Sequence, residues 1–200
     1  MLSKVSASDL NAWAWYRNSE QSDEDFLKRL RYEQPPNEKM EAGRAFHKYL
    51  ELRAGSPVDG YTFTGKIELP VYTVREYWVE RPMRLEGGRV IWLRGIVDGI
   101  RGRQACDYKT TGRLDLEKYA MAWQWRVYMY CLPHVRQFIY HVFRWHKDRR
   151  DDKMWHIAEQ RDLKMYRYAD LECDLRQAVS GFLLDADRLG FTGRPPRKKE

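Results

Sequence analysis

The sequence contains no CxxC pair. Its three cysteines, Cys106, Cys131 and Cys173, are scattered and odd in number. A four-thiolate zinc site or iron–sulfur cluster is therefore excluded within one chain. With no disulfide framework to read, the reducing cytoplasm is the expected compartment, the host's if the chain is phage-encoded. No stretch approaches the ~20 apolar residues of a membrane helix, so no membrane partner is expected. Residues 1–13 lack the apolar core of a signal peptide. There is no internal repeat and no composition break that sets off a second domain.

Acid is in the minority. Lys and Arg number 36 against 29 Asp and Glu, a formal charge of +7. An excess of this size points to a polyanionic partner, most simply nucleic acid. What is abundant is aromatic surface. Eight Trp and thirteen Tyr within 43% hydrophobic residues allow a sizeable core, and 200 residues fit one domain.

The spacing predicts helices first. Ser6 or Ser8 caps a helix carrying Leu10, Trp13 and Tyr16. A second helix covers 23–31 and a third 37–53, separated by Pro35-Pro36. A β-rich stretch over 62–74 and a short strand over 76–83 follow. A hairpin is predicted over 89–100 and 104–110, then a long helix over 115–131. Strands over 137–145 and 154–160 and a last helix over 171–189 complete the order. The expected fold is mixed α/β (α+β), a central mixed sheet flanked by helices. The expected organisation is a single domain over 1–192, with N-terminal helices over 1–57, and a basic disordered tail over 193–200.

The hairpin carries the densest chemistry. Gly102-Arg103 as a two-residue loop puts Gly where a type II′ turn prefers it. That register pairs Arg101 with Gln104, Gly99 with Cys106 and Asp98 with Asp107, with Lys109 on the same face as Asp107. Opposed carboxylates sit about 5 Å apart at Cβ and repel. A cation or a shared proton between them relieves the repulsion, and two hard oxygens suit Mg²⁺ or Mn²⁺. The plain alternative is a surface hairpin on which Lys109 neutralises one Asp.

Two helices add to this. Gly43 and His47 lie four apart on the third helix. A mid-helix Gly costs about 1 kcal/mol against Ala, which makes sense where another backbone or a substrate comes close. His47 is then either a metal ligand or a histidine packed between helix and sheet, and Glu51, one turn on, either a second acid or a solvated charge. On the long helix, Gln124 and Tyr128 share a face and offer an amide and a phenol as hydrogen-bonding groups. Cations cluster at the hairpin tip (Arg101, Arg103), beside His47 (Arg44) and near a later turn (Arg144, Lys147). There they would meet phosphates, and some of the tryptophans would stack on unpaired bases.

The ordered set Gly43-x-x-x-His47, Asp98, Asp107-Tyr108-Lys109, Gln124-x-x-x-Tyr128 resembles the RecB-like branch of the PD-(D/E)XK nuclease superfamily. The resemblance runs from about Ser6 to the last helix. Val97 stands where the superfamily name expects Pro, and the acid of the third motif is Asp107 rather than the commoner Glu. The resemblance implies a restriction-endonuclease-like core with an N-terminal helical elaboration, and a divalent-metal-dependent DNA exonuclease of recombination, repair or phage DNA processing. It implies that His47, Asp98, Asp107 and the Tyr108 carbonyl hold the ion. Lys109 would orient or activate the attacking water, and Gln124 and Tyr128 would position Lys109 or the DNA. Relatives with an iron–sulfur cluster carry one Cys after the first helix and three near the C-terminus. None stands here at Trp15-Tyr16-Arg17 or over 191–200, so no cluster is expected. A recombinase, annealing protein or helicase is an expected partner, and an oligomer is compatible with the fold. The competing readings are a catalytically inactive DNA-binding scaffold and a structure-specific endonuclease.

Overall fold

The computed structural model describes residues 2–52 and 57–193. Its centre is a seven-stranded mixed sheet. The strands are β1 (Lys4–Ser6), β2 (Thr62–Thr64), β3 (Val74–Arg84), β4 (Val90–Arg101), β5 (Gln104–Thr111), β6 (Gln137–Lys147) and β7 (Met154–Tyr166). They lie in the order β1-β4-β5-β6-β7-β2, with β3 also paired to β4. The helices are α1 (Ala7–Arg17), α2 (Asp23–Arg31), α3 (Glu38–Leu52), the single turn α4 (Glu117–Ala120), α5 (Trp123–Cys131) and α6 (Leu171–Arg188). The expected mixed sheet flanked by helices is the observed architecture. The predicted basic tail, 193–200, lies outside the described residues from 194 on, as does the predicted end of the third helix at Arg53.

Local signals explain where elements start and stop. Ser6 caps α1: its hydroxyl accepts from the Asp9 N–H, and the Asp9 carboxylate accepts from the Ser6 N–H. This capping box is a short-range stop that turns β1 directly into α1. The three-residue β1 leaves too short a pattern to read from sequence. The predicted long helix over 115–131 is two pieces. Ala122 is extended, and the Asn11 side-chain oxygen accepts from the Trp123 and Gln124 N–H groups. A cap supplied by α1 thus restarts the helix at Trp123, a tertiary contact with no local signature. Strand β3 begins at Val74 and β7 runs on to Tyr166, both longer than their patterns predicted, because long partner strands extend them.

The sheet carries a hydrophobic cluster on each face. On one, α1, α2, α5 and α6 cover Val79, Ile91, Leu93, Phe138 and Tyr140. On the other, α3 packs Phe46 against Phe63, Phe143 and Trp145. What positions the site is the edge of β4. Strand β3 lines one edge from Val90 to Ile100. Strands β1 and β5 therefore share the other edge, β1 at Trp92–Arg94 and β5 at Gly99–Arg101. Residues 95–98 form a gap between them, and the start of α1 and the middle of α3 stand over it.

Candidate functional site

The hairpin register is the expected one as far as Gly99↔Cys106, and Gly102 has φ 56°, as the first central residue of a II′ turn requires. There the ladder stops. Asp98 and Asp107 are not a ladder pair, contrary to the expectation of direct opposition. The Asp98 carboxylate accepts the Tyr108 N–H at 2.7 Å, taking a donor that the ladder would otherwise use and splaying β4 from β5. Both aspartates are buried, at 9% and 3% exposure.

Asp107 is held from two sides. Its Oδ1 accepts from Gln124 Nε2 at 2.8 Å, and the same amide group donates to the Tyr128 hydroxyl at 3.0 Å. Lys109 Nζ lies 2.5 Å from Asp107 Oδ2, but off hydrogen-bond alignment, so this buried oxygen has no donor aligned on it. Gln124 thus positions Asp107, with Tyr128 bonded to the same amide. Burial first, and the charge of Asp107 second, push the Asp98 carboxyl well above the usual carboxylate range; Lys109 and the Tyr108 N–H oppose the shift.

His47 reaches the same place from α3, its Nδ1 3.5 Å from Asp98 Oδ2. Burial lowers its pKa, partly offset by Asp107 and by the Tyr108 carbonyl, which faces the ring. A neutral imidazole keeps a lone pair free to ligate. Beside it, Glu51 makes a hydrogen bond with Glu76 and is pushed up to about 7 by burial and then by the charge of Glu76. Glu76 completes the β3–β4 register opposite Asp98: Arg75 pairs with Gly99 and Tyr77 with Val97. Its φ of 45° is a strained value for a non-glycine residue. Ser8, Gly43, Arg44, His47, Lys48, Glu51, Glu76 and Lys109 line one open cleft of about 990 Å³.

Two glycines that the sequence did not single out shape the site. A Cβ at Gly95 would lie 2.4 Å from the Tyr128 ring, so Tyr128 packs on bare backbone at the gap in β4. A Cβ at Gly99 would lie 2.6 Å from Tyr72 and 2.8 Å from the Cys106 sulfur. Glycine inside a strand pattern is the available signal for such approaches. Tyr72 is held in turn by His141, whose other ring nitrogen contacts Asp162 at 2.7 Å. Nothing local foretells that chain. Of the two expectations for Gly43, approach of another backbone is not what the fold has: an added Cβ would meet only Thr110 Oγ1 at 3.5 Å, and Gly43 lines the open cleft.

The predicted cation set divides. Arg44 is exposed on the cleft, and Arg101 and Arg103 are exposed at the hairpin tip. Arg144 is paired with Glu159 at 3.1 Å, and Lys147 with Glu38 at 2.8 Å and Asp152 at 2.9 Å. Arg144 stands beside Thr111 at the far end of β5 from the tip, so these cations do not form one continuous stripe.

Among the described residues no three carboxylate, imidazole or thiolate groups converge closely enough to hold an ion. The donor chemistry nonetheless fits a hard divalent cation. Two buried carboxylates repel each other, one buried oxygen lacks an aligned donor, and a carbonyl and a neutral imidazole stand beside them.

No protein family profile matches the chain, and no curated protein matches it. Among solved structures it is similar to the crystal structure of SSO0001, at 14% identity and a TM-score of 0.57, over 92% of this chain and 76% of that one. At this identity the likeness is one of fold.

Proposed function

We propose that this protein is a divalent-metal-dependent deoxyribonuclease of the RecB-like PD-(D/E)XK type, acting as an exonuclease in recombination, repair or phage DNA processing. The observation that carries the reading is the buried Asp98/Asp107 pair with Lys109 Nζ 2.5 Å from Asp107. Asp98, Asp107, His47 and the Tyr108 carbonyl would hold Mg²⁺ or Mn²⁺, which when bound lowers the pKa of a water and stabilises the leaving oxygen. The chain's own groups do the rest. Gln124 fixes the Asp107 carboxylate through Oδ1, leaving Oδ2 directed away from that bond. Lys109 brings a positive charge to the carboxylates, where it orients a water and offsets charge that develops on a phosphate. Arg44 lines the cleft and neutralises the incoming backbone, while Lys48 beside it is paired with Asp59 at 2.6 Å.

The test is digestion of end-labelled linear DNA and of covalently closed circular DNA, with Mg²⁺, Mn²⁺ or EDTA. Loss of the linear substrate alone, dependent on either metal, is expected. Cutting of the circle assigns an endonuclease instead. Inertness on every substrate with either metal leaves a DNA-binding scaffold.

A further inference from the structure

The outward face of the β3–β4 ribbon is poorly explained as ordinary surface. In β4, Ile91 and Leu93 are fully buried while Val90, Trp92 and Ile96 are 40–47% exposed. In β3, Val79 and Met83 are buried while Trp78 is 53% exposed. The register puts Trp78 opposite Ile96, Glu80 opposite Arg94 and Pro82 opposite Trp92. Strand β1 extends the same face by setting Lys4 opposite Trp92. Single exposed apolar residues are commonplace, but a contiguous patch marks a binding surface.

The charges on this face favour one occupant. The Arg94 guanidinium lies over the Trp78 ring at 5.9 Å. Lys4 and Arg84 are exposed beside the aromatics. Glu80 is paired with Lys4 at 3.1 Å, and Glu76, exposed at the level of Asp98, stands where the patch meets the site. Flat aromatic rings interleaved with cations suit a polyanion whose bases are free to stack. A duplex hides its base faces, so it cannot use the rings. Trp92 and the level of Trp78 are four residues apart along β4, about 13 Å, with Arg94 between them. Ile96 is two residues from Asp98, so the patch leads along the strand toward the two aspartates.

We infer that the outer face of β3–β4 is a binding track for single-stranded DNA, with Trp78 and Trp92 stacking bases and Arg94 and Arg84 meeting phosphates. The inference rests on the nuclease reading for the track's destination, but its test does not.

The experiment measures anisotropy of a labelled oligo-dT with the full-length protein in EDTA, beside a blunt duplex of equal length. Trp78→Ala and Trp92→Ala should each weaken oligo-dT binding by about 5- to 100-fold. Trp78→Phe, which keeps a stacking ring, should stay within about threefold of wild type, whereas Trp78→Leu should bind like the alanine variant. Trp15→Ala, exposed on α1, should change nothing, and no variant should weaken duplex binding by more than about twofold. Failure of the wild type to bind oligo-dT overturns the track. So does unchanged affinity in both alanine variants, or equal loss on the duplex. Sedimentation of the protein alone supplies a further arm: an oligomer dissolved by Trp78→Ala, with DNA affinity intact, assigns the face to a second copy and overturns the proposal. A protein that binds oligo-dT through these tryptophans but hydrolyses nothing with Mg²⁺ sinks the nuclease reading and leaves the track standing. One that digests DNA while both alanine variants bind like wild type sinks the track alone.

Discussion

Asp107 depends on a residue ten or more positions away to face the right direction. Its Oδ1 is occupied by Gln124, and without that bond the buried carboxylate is free to turn. Gln124→Ala should therefore lower Mg²⁺-dependent hydrolysis by about 10- to 100-fold, the usual effect of removing a group that orients a metal-binding side chain. Gln124→Glu should be worse, because it sets a third negative charge against Asp107 and Asp98. Initial rates at saturating Mg²⁺ check both. Glu51 makes a separate prediction at this scale. Its carboxyl titrates at about 7 in the fold and near 4.3 in an unfolded chain. Between those values the folded state holds more protons, so stability falls as pH rises across the window. Asp98, raised for the same reasons of burial and like charge, adds to the slope in the same direction. His47 and His141, held neutral by burial, oppose this below about pH 6.5 in any variant. The readout is therefore the Tm of wild type against Glu51→Gln in EDTA from pH 4.5 to 7, wild type losing more, or gaining less, as pH rises. Equal slopes would remove Glu51 from the account.

At the scale of elements, the site is made by interruptions. Strand β5 leaves β4 because Asp98 takes the Tyr108 N–H, α5 restarts on the Asn11 side chain, and Tyr128 fits against Gly95. Gly95 and Gly43 make opposite predictions. Gly95→Ala places a Cβ inside the Tyr128 ring contact, and overpacking of this kind costs about 1–3 kcal/mol. Gly43→Ala adds a methyl where nothing presses, so α3 should gain up to about 1 kcal/mol of helix propensity. If DNA approaches α3 at Gly43, the same variant loses DNA affinity while gaining stability. Urea unfolding beside a binding curve reads both effects. The hairpin turn and its first three pairs were legible because Gly102 and the flanking alternation are local signals. The break at Asp98, the restart of α5 and the three-residue β1 were not, since each depends on a contact between residues distant in the chain.

At the scale of the molecule, the order of motifs along the chain becomes a convergence in space. His47 arrives on α3, Asp98 on β4, Asp107 and Lys109 on β5 and Gln124 on α5, around one gap in the edge of β4. That these residues belong together was what the resemblance implied; spacing alone gave the hairpin as far as Gly99 and Cys106. How they meet was not readable: Gln124 holds the acid, Glu76 sits across from Asp98, and Arg144 and Lys147 are spent on ion pairs. The aromatics, which sequence yields only as counts, divide in the fold between a buried core and exposed positions, among which Trp78 and Trp92 share the β3–β4 ribbon. The most direct measurement of the central claim is the rate of nucleotide release from end-labelled linear DNA by wild type, Asp107→Asn and Lys109→Ala, in Mg²⁺ and in EDTA. All three proteins should first show the same circular dichroism. The account predicts release by wild type only in Mg²⁺, and a loss of at least about 100-fold in each variant. Release that persists in EDTA, or variants as fast as wild type, would contradict it.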